Sequence, residues 1–225
     1  MSFAKGRTNC EAERDVIVQG FNDLLQVLKQ AKNQKEIGIK SELYDIITNQ
    51  SISEEEKYTQ KKPFDDLLSE SEEFDKRIRR TILIGLFSFW ELSLKGICDY
   101  YKIDVETAKL NNSQKEKHPK NKTPRISEND YLNAIFKAER PKEVSVISST
   151  IKELRHYMTH GSADDDRKAV IDSLISSHPE FSVSKTQDGY FINSYDGLDH
   201  ILNKIIEGLC CAEATAKAIH GQNKP

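Results

Sequence analysis

Apolar residues recur at helical spacing along most of this chain. The clearest run has steps of three and four residues: Val144, Ile147, Ile151, Leu154 and Met158. Because this spacing keeps side chains on one face of an α-helix, we predict an amphipathic helix over residues 142–160 that packs against a core. Gly161 follows the run, and glycine is the residue that most often ends a helix.

The first part of the chain predicts two further helices and a break. Residues 10–32 and 40–49 carry apolar side chains at broadly helical spacing. Residues 50–62 are polar and charged and end before a proline, which is typical of a linker. We therefore predict an N-terminal helical appendage over residues 1–62 and a helical domain over residues 63–225.

The central stretch predicts the core helix of a bundle. From Phe64 to Tyr101 the pattern stays helical, and the second half of this stretch is apolar on nearly every side. Glu91 and Lys95 interrupt that half, so we do not expect it to span a membrane. A carboxylate on a core helix must find a partner or stay protonated, unless Glu91 lies on a solvated strip of the helix.

The second half of the chain predicts more helices and one small β element. Ser127 and Asp130 have the spacing of a capping box that begins a helix. Residues 181–186 and 190–193 alternate in polarity around an Asp-Gly pair, which predicts a β-hairpin. Residues 196–219 predict the last helix. We therefore predict an all-α bundle of long helices with a small hairpin before the last one.

The charge balance limits how this chain could bind nucleic acid. With 33 basic and 36 acidic residues the net charge is -3, so a globally basic binding surface is excluded and RNA would need a local patch. Residues 111–125 predict a loop that could steer phosphates towards an active groove, the alternative being a solvated insertion. Its basic residues are Lys115, Lys117, Lys120, Lys122 and Arg125.

The cysteines and the N-terminus favour a cytoplasmic protein. None of the four cysteines pairs in a zinc-like C-x2-C spacing, and the adjacent Cys210 and Cys211 would point apart on a helix. Free thiols suit a reducing compartment. The first residues lack the apolar run of a signal peptide.

Arg155 and His160 are the candidate catalytic pair. The guanidinium has a forked donor set for phosphate oxygens, and the imidazole titrates near neutral pH. Five residues apart, the two side chains diverge by roughly 140° on a straight helix, so one helix does not aim both at one point. A second copy of the helix across a two-fold axis would bring two Arg and two His into one groove, which suits cleavage of a phosphodiester.

This arrangement resembles the R-x4-6-H motif of the HEPN superfamily, here Arg155-x4-His160. In that family a polar residue, most often Asn, follows the Arg; here it is His156. Over roughly residues 64–220 the order of elements is similar to the larger bacterial HEPN families, including those named for predicted ribonuclease-L-like domains. That order is an apolar helix with Glu91, a variable loop, the motif helix, a hairpin and a terminal helix.

The resemblance implies a homodimeric, metal-independent endoribonuclease without a cofactor, acting as a toxin or an anti-phage defence effector. An antitoxin or a regulatory protein would be a further partner. His160 would take the proton of a ribose 2′-hydroxyl and Arg155 would stabilise the phosphate charge, leaving 2′,3′-cyclic phosphate and 5′-hydroxyl ends. His156 would orient the site or contact phosphate, Glu91 would pair with Arg155, and Tyr157 would stack on a base or pack against the protein.

The motif allows other interpretations. His156 and His160 have a metal-ligand spacing, but Tyr157 stands where zinc proteases carry Glu, and residues 164–166 better suit a helix start, so we predict no metal. An adenylyl-transferring relative would carry Tyr where this chain has Ser162. The main alternative is a non-catalytic helical dimer that binds RNA, a nucleotide or a protein partner. In the simplest alternative, Arg155 takes part in a surface ion pair and His160 is only the last residue of a helix.

Overall fold

A computed structural model describes residues 9–105, 126–137, 139–161, 164–187 and 189–220. The elements in chain order are helices α1 (Asn9–Thr48), α2 (Glu54–Tyr100), α3 (Glu128–Phe136) and α4 (Lys142–Ser145), a π-helical segment (Val146–Ile151), helices α5 (Lys152–His160) and α6 (Asp165–Ser177), a 3₁₀ turn (Pro179–Phe181), strands β1 (Val183–Thr186) and β2 (Gly189–Ile192), and helix α7 (Tyr195–His220). The predicted all-α fold with a small hairpin before the last helix is confirmed.

Helix α2 forms the centre of the bundle, because it contacts α1, α3, α5 and α7. Its C-terminal half buries Trp90 together with leucine, isoleucine and phenylalanine side chains. By length and composition alone, one window of this helix could cross a bilayer. Half of that window is buried inside the protein, as in the core helix of a soluble protein, so the window is weak evidence for a membrane span.

The linker predicted over residues 50–62 is wrong for most of its length, because α2 begins at Glu54 and continues through Pro63. Ser53 and Glu56 form a capping box in which the Ser53 N–H donates to Glu56 Oε2 at 2.8 Å. The polar residues of this stretch belong to solvent-exposed helical turns, which need no apolar stripe of their own.

Helix α1 packs against both α2 and α7. Leu25 is its buried anchor, with 1% of its surface exposed. At one end Arg14 Nη1 donates to Glu213 Oε2 at 2.7 Å, and further along Lys29 forms ion pairs with Asp196 and Asp199. The first helix is thus attached to the last, while the division of the chain at residues 62 and 63 stays a prediction.

Residues 142–160 form one continuous helical stretch, which we call the motif helix. All five residues of the predicted apolar face are buried, and the stretch ends at His160, as expected. Gly161 adopts the left-handed conformation at φ 71°, and its N–H donates to the Tyr157 carbonyl at 2.7 Å. The π-helical segment Val146–Ile151, which ends four residues before Arg155, was not predicted.

The hairpin pairs β1 with β2 in antiparallel register, Val183 opposite Ile192 and Thr186 opposite Gly189. Gly189 has φ 122°, a conformation that L side chains rarely adopt. A Cβ at this position would overlap the Tyr157 hydroxyl and lie 2.8 Å from its ring carbon Cζ. The hairpin therefore meets the motif helix at a point where only glycine fits.

Replacing Gly189 with Ala should lower the free energy of unfolding by about 1–3 kcal/mol, because backbone strain and overlap with Tyr157 act together. Urea denaturation followed by circular dichroism measures the change. Gly38→Ala is the control, since a Cβ at Gly38 on α1 meets nothing within 4 Å. It should raise stability by about 0.5–1 kcal/mol. Equal stability of the Gly189→Ala variant and the native protein would contradict this account.

Candidate functional site

The motif helix has four sides with different surroundings. Its apolar face is buried in the core, with Leu154 fully covered. Arg155 lies on one flank, beside helix α2, where it is half-buried. His156 and His160 lie towards solvent, and Tyr157 lies on the opposite flank, beside the hairpin. The site residues predicted from the sequence are thus distributed around the helix rather than gathered at one point.

Arg155 lines an open cavity of about 640 Å³ between the motif helix, α2 and the start of α3. Its guanidinium carbon lies 5.3 Å from the centre of the Phe87 ring, which fixes the side chain by a cation–π contact. Its Nε is buried and has no hydrogen-bond acceptor among the described residues. Arg155 also forms no ion pair with any residue that the structure describes.

Glu128 is a buried acid that lines the same cavity, and it was not among the predicted site residues. Trp90 Nε1 donates to its Oε1 at 2.9 Å, and Lys152 Nζ lies 3.1 Å from its Oε2. Burial raises the pKa of Glu128, while the Trp90 hydrogen bond and the Lys152 charge oppose that rise. The sequence signal that could have indicated a buried acceptor was Trp90, because the indole N–H of a core tryptophan needs a hydrogen-bond acceptor.

Glu91 also lines this cavity, but it does not pair with Arg155 as expected from the resemblance. Among the described residues, Glu91 and Arg155 form no ion pair with each other. Glu91 is half-exposed on a strip of α2 that also carries the exposed residues Leu92 and Lys95. Its carboxylate is therefore accessible to solvent, as the solvated-strip interpretation of Glu91 expects.

His156 and His160 form a pair of imidazoles at the end of the motif helix, with ring centres 4.5 Å apart. Burial lowers the pKa of His156, and the positive charges of Arg167 and a protonated His160 lower it further. Because the pKa of His156 lies below its ordinary value of 6.5, the neutral form of its imidazole predominates at neutral pH. A neutral imidazole beside an exposed one is suited to accepting and passing on protons.

Tyr157 packs against the hairpin, as expected in the second of its two predicted roles. Its ring meets Tyr190 edge to face, with the ring centres 5.1 Å apart, and its hydroxyl lies over Gly189. Part of its surface remains accessible in a second cavity between α2 and the hairpin. Tyr157 thus has a structural role and an exposed edge.

One chain does not bring Arg155 and His160 together. Arg155 lines the cavity beside α2, whereas His160 is exposed and contacts His156. The divergence expected from their spacing agrees with this placement. The predicted RNA-binding loop residues lie outside the described residues: Lys115, Lys117, Lys120, Lys122 and Arg125.

No group of three or more His, Cys, Asp or Glu side chains in the described part of the chain could hold a metal ion. Comparisons with known proteins give no relative: no protein-family model, no curated protein and no solved structure matches this chain. The resemblance to the HEPN superfamily therefore stays a prediction.

Replacing Glu128 with Gln should change how stability depends on pH. The folded carboxyl has a pKa above its ordinary value of 4.5. Between pH 4.5 and this raised pKa, the Glu128 carboxyl binds more protons in the folded protein than in the unfolded chain. Native stability therefore falls as pH rises through that window, and this contribution is absent from the variant. The variant should gain stability relative to the native protein as pH rises.

Urea unfolding at several values between about pH 4 and pH 8 tests this. The amide oxygen can still accept from Trp90, so the variant should fold. Parallel pH profiles for the two proteins would show that Glu128 does not titrate at a raised pKa.

Proposed function

We propose that this protein is a homodimeric, metal-independent endoribonuclease of the HEPN type, with an active site formed by Arg155 and His160 from two subunits. The observation that carries the proposal is that the motif helix presents Arg155 and His160 on different sides. It holds on one flank the guanidinium of Arg155, which has no ion pair among the described residues, and at its end two imidazoles, of which that of His160 is exposed. These are the two functional groups that phosphodiester cleavage needs.

The chemistry follows from those groups. His160 removes the proton of a ribose 2′-hydroxyl, and the resulting oxygen attacks the adjacent phosphorus. The bond to the 5′-oxygen breaks, and that oxygen takes up a proton, giving 2′,3′-cyclic phosphate and 5′-hydroxyl ends. Arg155 donates to the phosphate oxygens as charge builds on them. DNA lacks the attacking hydroxyl and should resist cleavage.

The neighbours of these groups support their roles. The neutral form of His156 predominates at neutral pH, so it can accept a proton that passes through the pair. Lys152 is held by the carboxylate of Glu128. Arg155 has no such partner among the described residues, so of these two cations it is the one free to meet a phosphate.

The proposed biological role is that of a toxin or an anti-phage defence effector in the cytoplasm. This role rests on the resemblance of the Arg155-x4-His160 motif alone. An antitoxin or another regulatory protein would be its partner, because an unregulated ribonuclease damages its own cell.

A second candidate function is a non-catalytic dimer that binds RNA, a nucleotide or a protein partner through the same groove. The observation that favours it is the separation of Arg155 from His160 within one chain. In this candidate the cavity holds a phosphate, and the imidazole pair adds contacts without moving protons.

Arg155→Ala and His160→Ala should each abolish RNA cleavage, while mixing the two inactive variants should restore it. If subunits exchange freely, half of the dimers are mixed, and each has one intact pair of Arg155 and His160. About a quarter of native activity is then expected by symmetry. The assay follows a labelled RNA in the presence of a chelator, with size-exclusion chromatography to verify dimers.

His200→Ala is the matched control, since it removes an exposed imidazole on α7 and should leave cleavage unchanged. Restored cleavage would favour a composite site over a binding-only dimer. No cleavage by the native protein, or cleavage by the single variants, would reject the proposed mechanism. Loss of cleavage in chelator would reject metal independence.

A further inference from the structure

A second cavity, of about 250 Å³, lies on the other flank of the motif helix, between α2 and the hairpin. Gly161 forms part of its wall, so it begins one residue after His160. It is smaller than the roughly 300–1,000 Å³ pockets that hold drug-sized ligands, so it has room for one small planar group such as a base. We call it the hairpin pocket. None of its cationic residues was singled out by our sequence analysis.

The hairpin pocket is locally basic in a chain that is acidic overall. Lys76, Arg77 and Arg80 of α2 and the carboxylate of Glu73 line it, giving a formal charge of +2. Lys76 is neutralised by Glu73, whose Oε1 accepts from its Nζ at 2.6 Å. Arg77 and Arg80 are exposed, and neither has an ion pair among the described residues.

Arg80 connects the hairpin pocket to the end of the motif helix that carries His160. Its Nη2 donates to the Thr159 carbonyl at 3.3 Å, and Thr159 immediately precedes His160. An anion bound by Arg80 therefore lies close to the end of the helix. Arg77 is three residues away on the same helix, so both guanidinium groups face the same side of α2.

Aromatic surface completes the pocket. Phe191 of β2 and Tyr157 of the motif helix both line it and are both partly exposed. The ammonium group of Lys76 lies 5.2 Å from the centre of the Phe191 ring, which holds the ring at the wall. Cations that follow a backbone, beside an aromatic ring that can stack on a base, are the features that bind single-stranded nucleic acid.

We infer that the hairpin pocket is a binding subsite for single-stranded RNA. Arg77 and Arg80 bind consecutive phosphates, and one unpaired base rests against Phe191. This inference rests on the proposed function and deepens it, because it names the form of RNA that reaches His160. Base-paired RNA presents no free base face to Phe191 and should bind less tightly.

Binding is best measured by fluorescence anisotropy with a labelled single-stranded RNA, using full-length His160→Ala protein so that no RNA is cleaved. Adding Arg77→Ala and Arg80→Ala should weaken binding by about tenfold or more. It should also reduce the slope of log affinity against log salt by about 1.4, as expected for two lost phosphate contacts on a single strand.

Phe191→Leu separates stacking from charge. It should weaken binding by roughly tenfold while leaving the salt slope unchanged, because leucine keeps an apolar contact but cannot stack. Lys61→Ala with Lys62→Ala is the matched control, since it removes two cations of the same helix far from the pocket. That control should bind as the parent does. Circular dichroism verifies that each variant is folded.

Each outcome decides a separate question. If the pocket variants bind single-stranded RNA as well as the parent, or if a duplex of the same sequence binds as tightly, the subsite is wrong and the cleavage proposal stands. If the pocket variants lose binding but the native protein does not cleave RNA, the subsite stands and the cleavage proposal is wrong.

Discussion

The buried guanidinium of Arg79 fixes the hairpin against helix α2, and the hairpin flank of the motif helix depends on it. Only 1% of Arg79 is exposed. Its Nε donates to the Ile192 carbonyl at 2.6 Å, and its Nη2 donates to Glu72 at 2.7 Å. The ring of Tyr195 lies 5.6 Å from the guanidinium carbon, and the Tyr195 hydroxyl donates to Asp75 at 3.0 Å. Since a buried charge that loses a partner is strongly destabilising, the hairpin and the start of α7 are held to this one arrangement.

The motif helix lies between two polar anchors, and each determines one of its flanks. On the cavity side, the hydrogen bond from Trp90 to Glu128 connects α2 to α3, and Glu128 in turn holds Lys152 of the motif helix. On the hairpin side, Arg79 positions β2, whose Gly189 is in contact with Tyr157. The helix therefore has little freedom to rotate, so the separation between its two candidate catalytic side chains is a fixed property of one chain.

Local patterns in the sequence predicted the elements, while contacts distant in sequence determined the site. The apolar period of the motif helix and the Asp-Gly turn of the hairpin are local signals, and both predictions are confirmed. Glu128 has the sequence signature of a helix start, so only the folded position of Trp90 shows it to be a buried acid. No local pattern predicted the π-helical segment, in which the Ser149 and Thr150 hydroxyls donate to carbonyls four residues earlier. For Glu91 the sequence left two interpretations open, and only the fold shows that it lies on an exposed strip of an otherwise apolar helix.

In the proposed dimer, the surface that does chemistry and the surface that could supply apolar contact are different. The exposed side of the motif helix is polar, ending in Thr159 and His160, so two copies that meet there bury little apolar surface. Large exposed apolar side chains lie elsewhere, with Val16 on α1 and Leu92 on α2 exposed by 73% and 69%. Pairing through the polar face would also bring cations of both subunits together, which costs free energy unless an anion lies between them. The phosphate backbone of RNA is such an anion, so in this scheme the substrate itself stabilises the arrangement that cleaves it.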